Sequence, residues 1–424
     1  MNTGEEAYVR ADPLLGMGGK RVVLAVCGGI AAYKAVEVCR RLVDAGAHVV
    51  PLMTDAATRF VGEVTLSSLA SEPVRRDLFD PSDPLAHTRL AKAADVVAVC
   101  PATARIISSM ATGRADDLVS ATLLATRAPV VLFPAMHEEM WCHPATQENV
   151  ARLRSWGIEI VGPAEGRLAG GDAGVGRLVE PEEVVFAIAR TVRGRPWKSK
   201  TVIVTAGGTR EPIDPVRVIT NRSSGKQGHA LAEAAAVLGA ETILVTTSDA
   251  AVPPGLAEVV HVETAADMQQ AVMSRAERAD VIVMAAAVAD FRPARPADRK
   301  LKKEERPTAI ELEPTYDFLV DLGNNRREGQ IVVGFAAETE NLLANAKAKM
   351  VSKGLDLIVA NDVSKPGVGF GHDTNEVTIL CRDGADRRVS LRSKREVAVA
   401  VMEEIERLMG DGMGASDSSG GSGT

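Results

Sequence analysis

This sequence predicts an α/β protein made of two doubly wound parallel-sheet domains in tandem, and three observations support that. Short apolar runs alternate with Ala-rich helical segments along the chain, the pattern of parallel strands wrapped by helices on both faces. The alternation restarts halfway: KRVVLAVCGG at Lys20 and KTVIVTAGG at Lys200 each run a buried-strand pattern into paired glycines. The 424 residues also exceed what one core supports, so two cores of roughly 200 residues each are expected. The likeness of the two openings stops soon after the glycines, which indicates shared topology and not a repeat.

Charge and cysteine usage narrow the functional classes. Lys and Arg number 49 against 56 Asp and Glu, a net charge of −7 without a long block of either sign, so no nucleic-acid partner is expected. Cys27, Cys39, Cys100, Cys142 and Cys381 are scattered, with no CxxC pair. This fits a reducing cytoplasm and no structural zinc. No apolar run approaches the roughly 18 residues of a membrane span. Residues 1–19 lack the basic start and apolar core of a signal peptide. A soluble cytoplasmic chain with no membrane partner is expected. Residues 1–19 and 411–424 carry too little apolar surface to order and are expected as flexible ends.

The first domain is expected over 20–190. A strand at 22–26 empties into Gly28 and Gly29, a helix over 31–45 stops at Gly46, and a strand at 49–53 completes a βαβ unit. Strands at 95–100, 129–133 and 158–161, with helices between them, extend it to a Rossmann-like or flavodoxin-like sheet. Ligands of such sheets sit at the carboxyl ends of the strands, so the loops after Val26, Met53, Cys100 and Phe133 converge on one crevice. CGGIAAYK lacks the third glycine of a GxGxxG fingerprint, and the second strand ends in Thr54 instead of an acid that would hold an adenosine ribose. A dinucleotide is disfavoured and a mononucleotide such as a flavin fits better; an ordinary βα turn is the competing reading of the glycines.

His87 stands in SDPLAHTRLAKAAD, where Asp83 or Ser82 can cap a helix and Pro84 suits its first turn. That places the imidazole at the crevice edge; a plain surface histidine is the alternative. CPATARI puts Pro101, Ala102 and Thr103, small residues and a hydroxyl, directly after a strand, where a flat ring could slide in. FPAMHEEMW sets Met136, Met140 and Trp141 beside His137, either as a cofactor wall or as core. The glycine-rich GRLAGGDAGVGRL, 166–178, is a connector or a lid over a ligand, and the lid is favoured.

Residues 191–199, basic with Gly and Pro, read as a linker, and the second domain is expected over 200–410. DPVRVITNRSSGKQG ends with Ser223, Ser224, Gly225 and Lys226 at the mouth of a helix over 227–238. Free N–H groups, small residues and a Lys there can hold a phosphate, although the spacing is too long for a Walker loop. Strands at 242–246, 259–262, 280–284, 330–335 and 356–360 continue the alternation. A hairpin of 376–381 with 388–391 and a helix over 393–409 close the chain. In AAAVADFRP, after Met284, small residues let a base pack closely while Asp290 accepts from an exocyclic amine. RKLKKEE, 299–305, is a solvated loop or the source of a lysine that swings onto a polyphosphate, as phosphoryl-type transfer with Mg²⁺ needs. Lys349 and Lys353, one helical turn apart, can both reach a triphosphate.

CGGIAAYK, His87 with LAKAAD, PATA, PAMxxxMW and the glycine-rich segment together resemble the flavin-dependent cysteine decarboxylases. With DPVRVITNRSSGKQG and AAAVADFRP added, residues 20–410 resemble the bacterial bifunctional phosphopantothenoylcysteine decarboxylase and phosphopantothenate–cysteine ligase of coenzyme A synthesis. For the first half the resemblance implies oxidation of the substrate's cysteine thiol by FMN, loss of carbon dioxide and return of the electrons. His87 matches the catalytic histidine; Gly28, Gly29, Thr54, Pro101, Ala102 and Thr103 would bind FMN; and Gly170, Gly171 and Arg177 lie in the substrate clamp. His137 stands where the family has Asn, and Gly170 where it has the clamp Cys that is thought to supply a proton.

For the second half the resemblance implies activation of 4′-phosphopantothenate by CTP as an acyl-cytidylate, release of pyrophosphate and attack by the amine of cysteine. Arg217 and Asn221 match residues that handle the acyl intermediate, and Lys300 the mobile catalytic lysine. Met284, Ala285, Ala286, Asp290, Phe335, Lys349 and Lys353 match CTP-binding positions. So does TYDFL (Tyr316, Asp317, Phe318 and Leu319), in which Tyr316 and Phe318 replace Pro and Ile. Ligase dimers and decarboxylase trimers imply a homo-oligomer, a dodecamer. The alternatives are a working ligase whose first half is only a flavin-binding assembly scaffold, and a pair of binding modules.

Overall fold

The computed structural model describes residue 12 and residues 15–414, apart from 169, 172, 303–308, 366 and 370, with side chains to 410. Most of both expected flexible ends, together with 303–305 of RKLKKEE, lies outside the described residues. The chain divides into two compact units after Arg195. No helix of the described residues is long and apolar enough to cross a membrane.

The first unit runs β1 (Arg21–Val26), α1 (Lys34–Asp44), β2 (His48–Met53), α2 (Glu63–Leu69), α3 (Ala86–Ala93), β3 (Val96–Ala102), α4 (Ala104–Thr112), α5 (Leu118–Ala125), β4 (Val130–Pro134), α6 (Glu138–Trp141), α7 (Pro144–Ser155), β5 (Glu159–Ile160), β6 (Ala164–Arg167), β7 (Ala173–Arg177) and α8 (Pro181–Val192). The sheet order is β2-β1-β3-β4-β5, parallel throughout, with Val22 opposite both Val49 and Val96. Both faces of β1 and β3 are buried, so their sequences are unbroken apolar runs and not alternating ones. Helix α1 covers the sheet with Ala35, Val38, Cys39 and Leu42, a helical stripe.

Several expectations are corrected here. The helix expected over 31–45 begins as a 3₁₀ turn, Ile30–Tyr33, before α1 takes over. The fifth strand is only two residues long. Neither Asp83 nor Ser82 caps α3: its N-cap is Leu85, and the Asp83 carboxylate instead binds Arg75 and Arg89. Leu15 and Met17 are buried at 8% and 0% exposure, so their part of the N-terminal segment is packed core. The linker expected at 191–199 is shorter, because α8 runs to Val192 and Trp197 is buried at 2%.

The second unit runs β8 (Thr201–Ala206), β9 (Arg210–Pro212), β10 (Val218–Thr220), α9 (Lys226–Val237), β11 (Glu241–Thr246), β12 (Glu258–His261), α10 (Ala265–Ala276), β13 (Val281–Met284), β14 (Phe291–Pro293), β15 (Leu312–Pro314), α11 (Phe318–Asn324), β16 (Ile331–Glu338), α12 (Leu342–Ser352), β17 (Leu357–Asp362), β18 (Thr374–Cys381), β19 (Arg387–Ser393) and α13 (Lys394–Gly414). Its sheet order is β12-β11-β8-β13-β16-β17-β18-β19. The first six strands are parallel, and the closing hairpin β18–β19 adds to β17 antiparallel. Hairpins β9–β10 and β14–β15 stand apart as two-stranded sheets. Gly228 lets α9 lie close on β8: a Cβ there would stand 2.5 Å from Ala206 Cβ and 2.7 Å from the Thr205 carbonyl oxygen.

Candidate active sites

In the first unit Gly28, Gly29, Thr54, Pro101, Ala102 and Thr103 lie at the carboxyl ends of β1, β2 and β3. At Gly28 a Cβ would stand 2.4 Å from Ala56 Cβ, so only glycine lets these two loops close together. At Gly29 the nearest atom to such a Cβ would be Thr103 Cγ2, at 3.7 Å, which leaves the backbone open to a ligand. Thr103 begins α4 without spending its hydroxyl as a cap. Thr54, buried at 3%, accepts the Ala57 N–H at 3.3 Å and holds the β2 loop in place. Pro101 and Ala102 are buried, and the Ala102 carbonyl accepts the Ala135 N–H at 3.1 Å.

His87 is the second residue of α3, and its Nδ1 is buried with no hydrogen-bond partner. Buried polar atoms are rarely left so, and an orphan of this kind leaves room for a ligand group. Open glycine backbone, an unspent hydroxyl and an unpaired imidazole nitrogen fit a flat ring that carries a phosphate. Burial pushes the thiols of Cys27 and Cys100 up to about 12, so neither is a nucleophile at neutral pH.

The glycine-rich segment is the β6–β7 hairpin. Met136 N–H donates to the Gly176 carbonyl at 3.0 Å, and a Cβ at Gly176 would stand 2.1 Å from the Met136 carbonyl oxygen. The hairpin is thereby stitched to the turn that carries His137, the exposed N-cap of α6. Gly170 and Gly171 are exposed between the two strands. Arg177 pairs with Glu180, which also takes Lys34 Nζ at 3.0 Å. The Lys34 ammonium, with Arg177, holds the Glu180 carboxyl below the usual carboxylate range. Met136 and Trp141 pack partly against the core, while Met140 is 49% exposed.

In the second unit a cavity of about 400 Å³ opens beside the carboxyl ends of β13, β16 and β17. It gathers Asn221, Met284, Ala285, Ala286, Asp290, Tyr316, Asp317, Phe318, Leu319, Phe335, Lys349 and Lys353. The end of β8 and the loop after it clamp the AAAVAD segment: Thr205 Oγ1 accepts the Ala286 N–H at 3.0 Å, and Thr209 Oγ1 accepts that of Ala289 at 2.9 Å. Asn221 Nδ2 donates to the carbonyls of Ala287 and Val288 at 3.1 and 3.3 Å. Lys349 pairs with Glu338 at 2.6 Å and Lys353 with Asp317 at 2.8 Å. In TYDFL, Phe318 is core at 2% exposure, whereas Tyr316 is 59% exposed and donates its hydroxyl to Asp321.

Two predicted residues lie elsewhere. Arg217 does not line the cavity; its guanidinium binds the Asp214 carboxylate and donates to the Leu301 carbonyl at 2.9 Å. Lys300 is exposed, next to that same Leu301. Sequence reasoning missed Asp214, Asn361, Asn375 and Lys394; the last three line the cavity from β17, β18 and the start of α13. Lys394 follows a strand directly, and nothing in the local sequence signals that it points into the cavity. Among the described residues no group of three His, Cys, Asp or Glu could hold a metal ion.

Comparison with known proteins bears on both units. The family model described as "Flavoprotein" matches residues 13–193, and "DNA/pantothenate metabolism flavoprotein C-terminal domain" matches 197–409. The coenzyme A biosynthesis bifunctional protein CoaBC of Bacillus subtilis (strain 168) is 45% identical over 398 residues, 92% of this chain and 98% of the relative. This chain belongs to the CoaBC family. The CoaBC protein of Mycobacterium tuberculosis (strain ATCC 25618 / H37Rv) is 46% identical over 403 residues, 91% of this chain and 96% of the relative. The crystal structure of a CoaBC C-terminal domain covers 51% of this chain and 99% of its own, at 39% identity and a TM-score of 0.44. The FMN-binding protein AtHal3 covers 40% of this chain and 94% of its own, at 28% identity and a TM-score of 0.37. The tandem α/β units are thus the two halves of a CoaBC protein, an enzyme family of coenzyme A biosynthesis.

Proposed function

We propose that the second unit joins 4′-phosphopantothenate to cysteine at the expense of CTP, and that the first decarboxylates the phosphopantothenoylcysteine so formed to 4′-phosphopantetheine. The observation that carries the ligase reading is the clamped AAAVAD backbone, bound by Asn221, which lines one cavity together with Lys349 and Lys353. The backbone from Met284 to Ala286 and Asp290 hold the cytosine, and Lys349 and Lys353 lie toward the phosphates. The carboxylate of 4′-phosphopantothenate displaces pyrophosphate from CTP, and the amine of cysteine then displaces CMP to form the amide. Lys300 supplies positive charge to the leaving pyrophosphate, and Mg²⁺ enters on the nucleotide phosphates. Asn221 orients the acyl group, and Arg217 acts through Leu301.

In the first unit Gly28, Gly29, Thr54, Pro101, Ala102 and Thr103 would hold FMN, which when bound supplies the oxidant for the thiol and returns the electrons after carbon dioxide leaves. His87 takes a proton from the substrate; its Nδ1 has no hydrogen-bond partner. His137 binds the substrate carboxylate in place of an amide, and the β6–β7 hairpin covers the substrate. A homo-oligomer is supported by Ile30, Tyr33, Phe60 and Val64, which are 63%, 61%, 47% and 79% exposed around the loops after β1 and β2. A dodecamer of trimers and dimers follows from the resemblance.

Incubation of the purified protein with 4′-phosphopantothenate, CTP, Mg²⁺ and cysteine is expected to yield 4′-phosphopantetheine. Accumulation of phosphopantothenoylcysteine alone would support the second reading, in which the first unit is a flavin-binding scaffold. Gly170, which offers no thiol between β6 and β7, is the residue that favours it.

A further inference from the structure

Four lysines line the cavity of the second unit, and three of them have a carboxylate. Lys226 pairs with Asp373 at 2.5 Å, Lys349 with Glu338 at 2.6 Å and Lys353 with Asp317 at 2.8 Å. Lys394 differs. Its Nζ donates to the Gly369 carbonyl at 3.2 Å, and among the described residues it forms no ion pair. It is only 7% exposed.

Three features of this position disfavour an ammonium. Burial removes its hydration, Lys226 adds a like charge, and Lys394 is the first residue of α13, where the helix dipole opposes a cation. The first two push its pKa below the usual lysine range and outweigh the opposing attraction of the Asp373 carboxylate. Buried charges in proteins are normally paired; the carboxylate that acts on this one, Asp373, is already bound to Lys226 at 2.5 Å and makes no ion pair with Lys394.

The surroundings are suited to an anion. The twelve-residue helix α9 begins at Lys226 and presents Ser224 and Gly225 to the same cavity. Asn375, on β18, lines it as well; it is 4% exposed, and its Oδ1 has no hydrogen-bond partner. The two ends of an amide exchange by a half-turn, so this side chain can equally offer N–H to an anionic oxygen.

We infer that Lys394 is the counter-charge for a phosphoryl group bound between the start of α9 and Asn375. Only the identity of the ligand rests on the ligase reading. A terminal phosphate of a nucleoside triphosphate and the 4′-phosphate of the acyl substrate share this chemistry, and the test separates them.

Lys394→Met keeps the length of the side chain and removes its charge. Calorimetric titration of the full-length protein with CTP, cytidine, 4′-phosphopantothenate, pantothenate and inorganic pyrophosphate is expected to show binding of a phosphorylated ligand weakened about 10-fold or more, the scale of one charge-assisted contact. The unphosphorylated counterpart should bind as it does to the wild type. Loss for CTP identifies the nucleotide as the source, and loss for 4′-phosphopantothenate the acyl substrate. The melting temperature of the ligand-free variant should hold or rise, because an unpaired buried charge has been removed. Asn375→Leu, on β18 and not on α13, should show the same selective loss and decides alone if Lys394→Met does not fold.

Unchanged affinity for every phosphorylated ligand, or equal loss for cytidine and pantothenate, would overturn the assignment. If the wild type binds neither CTP nor 4′-phosphopantothenate, the ligase reading fails. In that case, pyrophosphate binding that disappears in Lys394→Met still supports the lysine, and no pyrophosphate binding to the wild type removes it.

Discussion

The Asp214 carboxylate accepts the backbone N–H of Leu301 at 3.2 Å, although 87 residues separate them, and so ties the residue after Lys300 to the turn between β9 and β10. The same carboxylate accepts the N–H groups of Val216 and Arg217 at 2.8 and 2.9 Å, together with the Arg217 guanidinium. Its side chain is fully buried. The Arg217 guanidinium, aided by the backbone N–H groups, holds the carboxyl well below the usual carboxylate range. Because the folded value is depressed, the stabilisation is complete above about pH 4, the ordinary aspartate value. It is lost as pH falls through the folded value. The melting temperature of Asp214→Asn should therefore start lower at pH 7 and fall less steeply on acidification than that of the wild type. Parallel pH slopes for the two proteins would show that this carboxylate does not gain its partners on folding.

Lys300→Ala tests the catalytic role proposed for the residue before Leu301. Pyrophosphate release is expected to fall by about 10²–10³-fold, the cost of losing one preorganised charge in a transition state, with the KM for CTP little changed. Turnover equal to the wild type would remove Lys300 from the reaction.

His87→Asn keeps a polar side chain and removes the proposed base. Carbon dioxide release should fall by about 10²–10⁴-fold, the usual contribution of a positioned general base. The visible absorption of bound flavin and the ligase half-reaction should persist. Loss of the flavin spectrum in this variant would mean that His87 serves binding instead.

Gly228→Ala probes how closely α9 lies on β8. The new Cβ would meet the Thr205 carbonyl oxygen at 2.7 Å, and backbone cannot move aside as a side-chain tip can. A loss of about 1–3 kcal/mol in urea unfolding is expected, typical of overpacking. An unchanged midpoint would show that α9 lifts off the strand without cost.

Strand identity was legible in the residues because parallel strands buried on both faces are unbroken apolar runs, and β1, β3, β8 and β13 all have that form. The strand-end motifs were legible for a related reason. Glycines such as Gly28 and Gly228 stand where backbone meets backbone, and the doubly wound topology brings every such turn to the same edge. Helix starts were less legible: α3 begins at Ala86 with no side-chain cap, because Asp83 is drawn away by Arg75 and Arg89. The sequence by itself therefore determined two tandem α/β units, their strand-end loops and most of the cavity lining. Only the tertiary structure decided that Asp214 reaches Leu301, that Arg217 faces that contact instead of the cavity, and that Lys394 lies buried in the cavity wall with Asn375 and bonds the Gly369 carbonyl. Burial and hydrogen-bond partners are properties of segments far apart in the chain, and no local pattern encodes which distant group meets a given side chain.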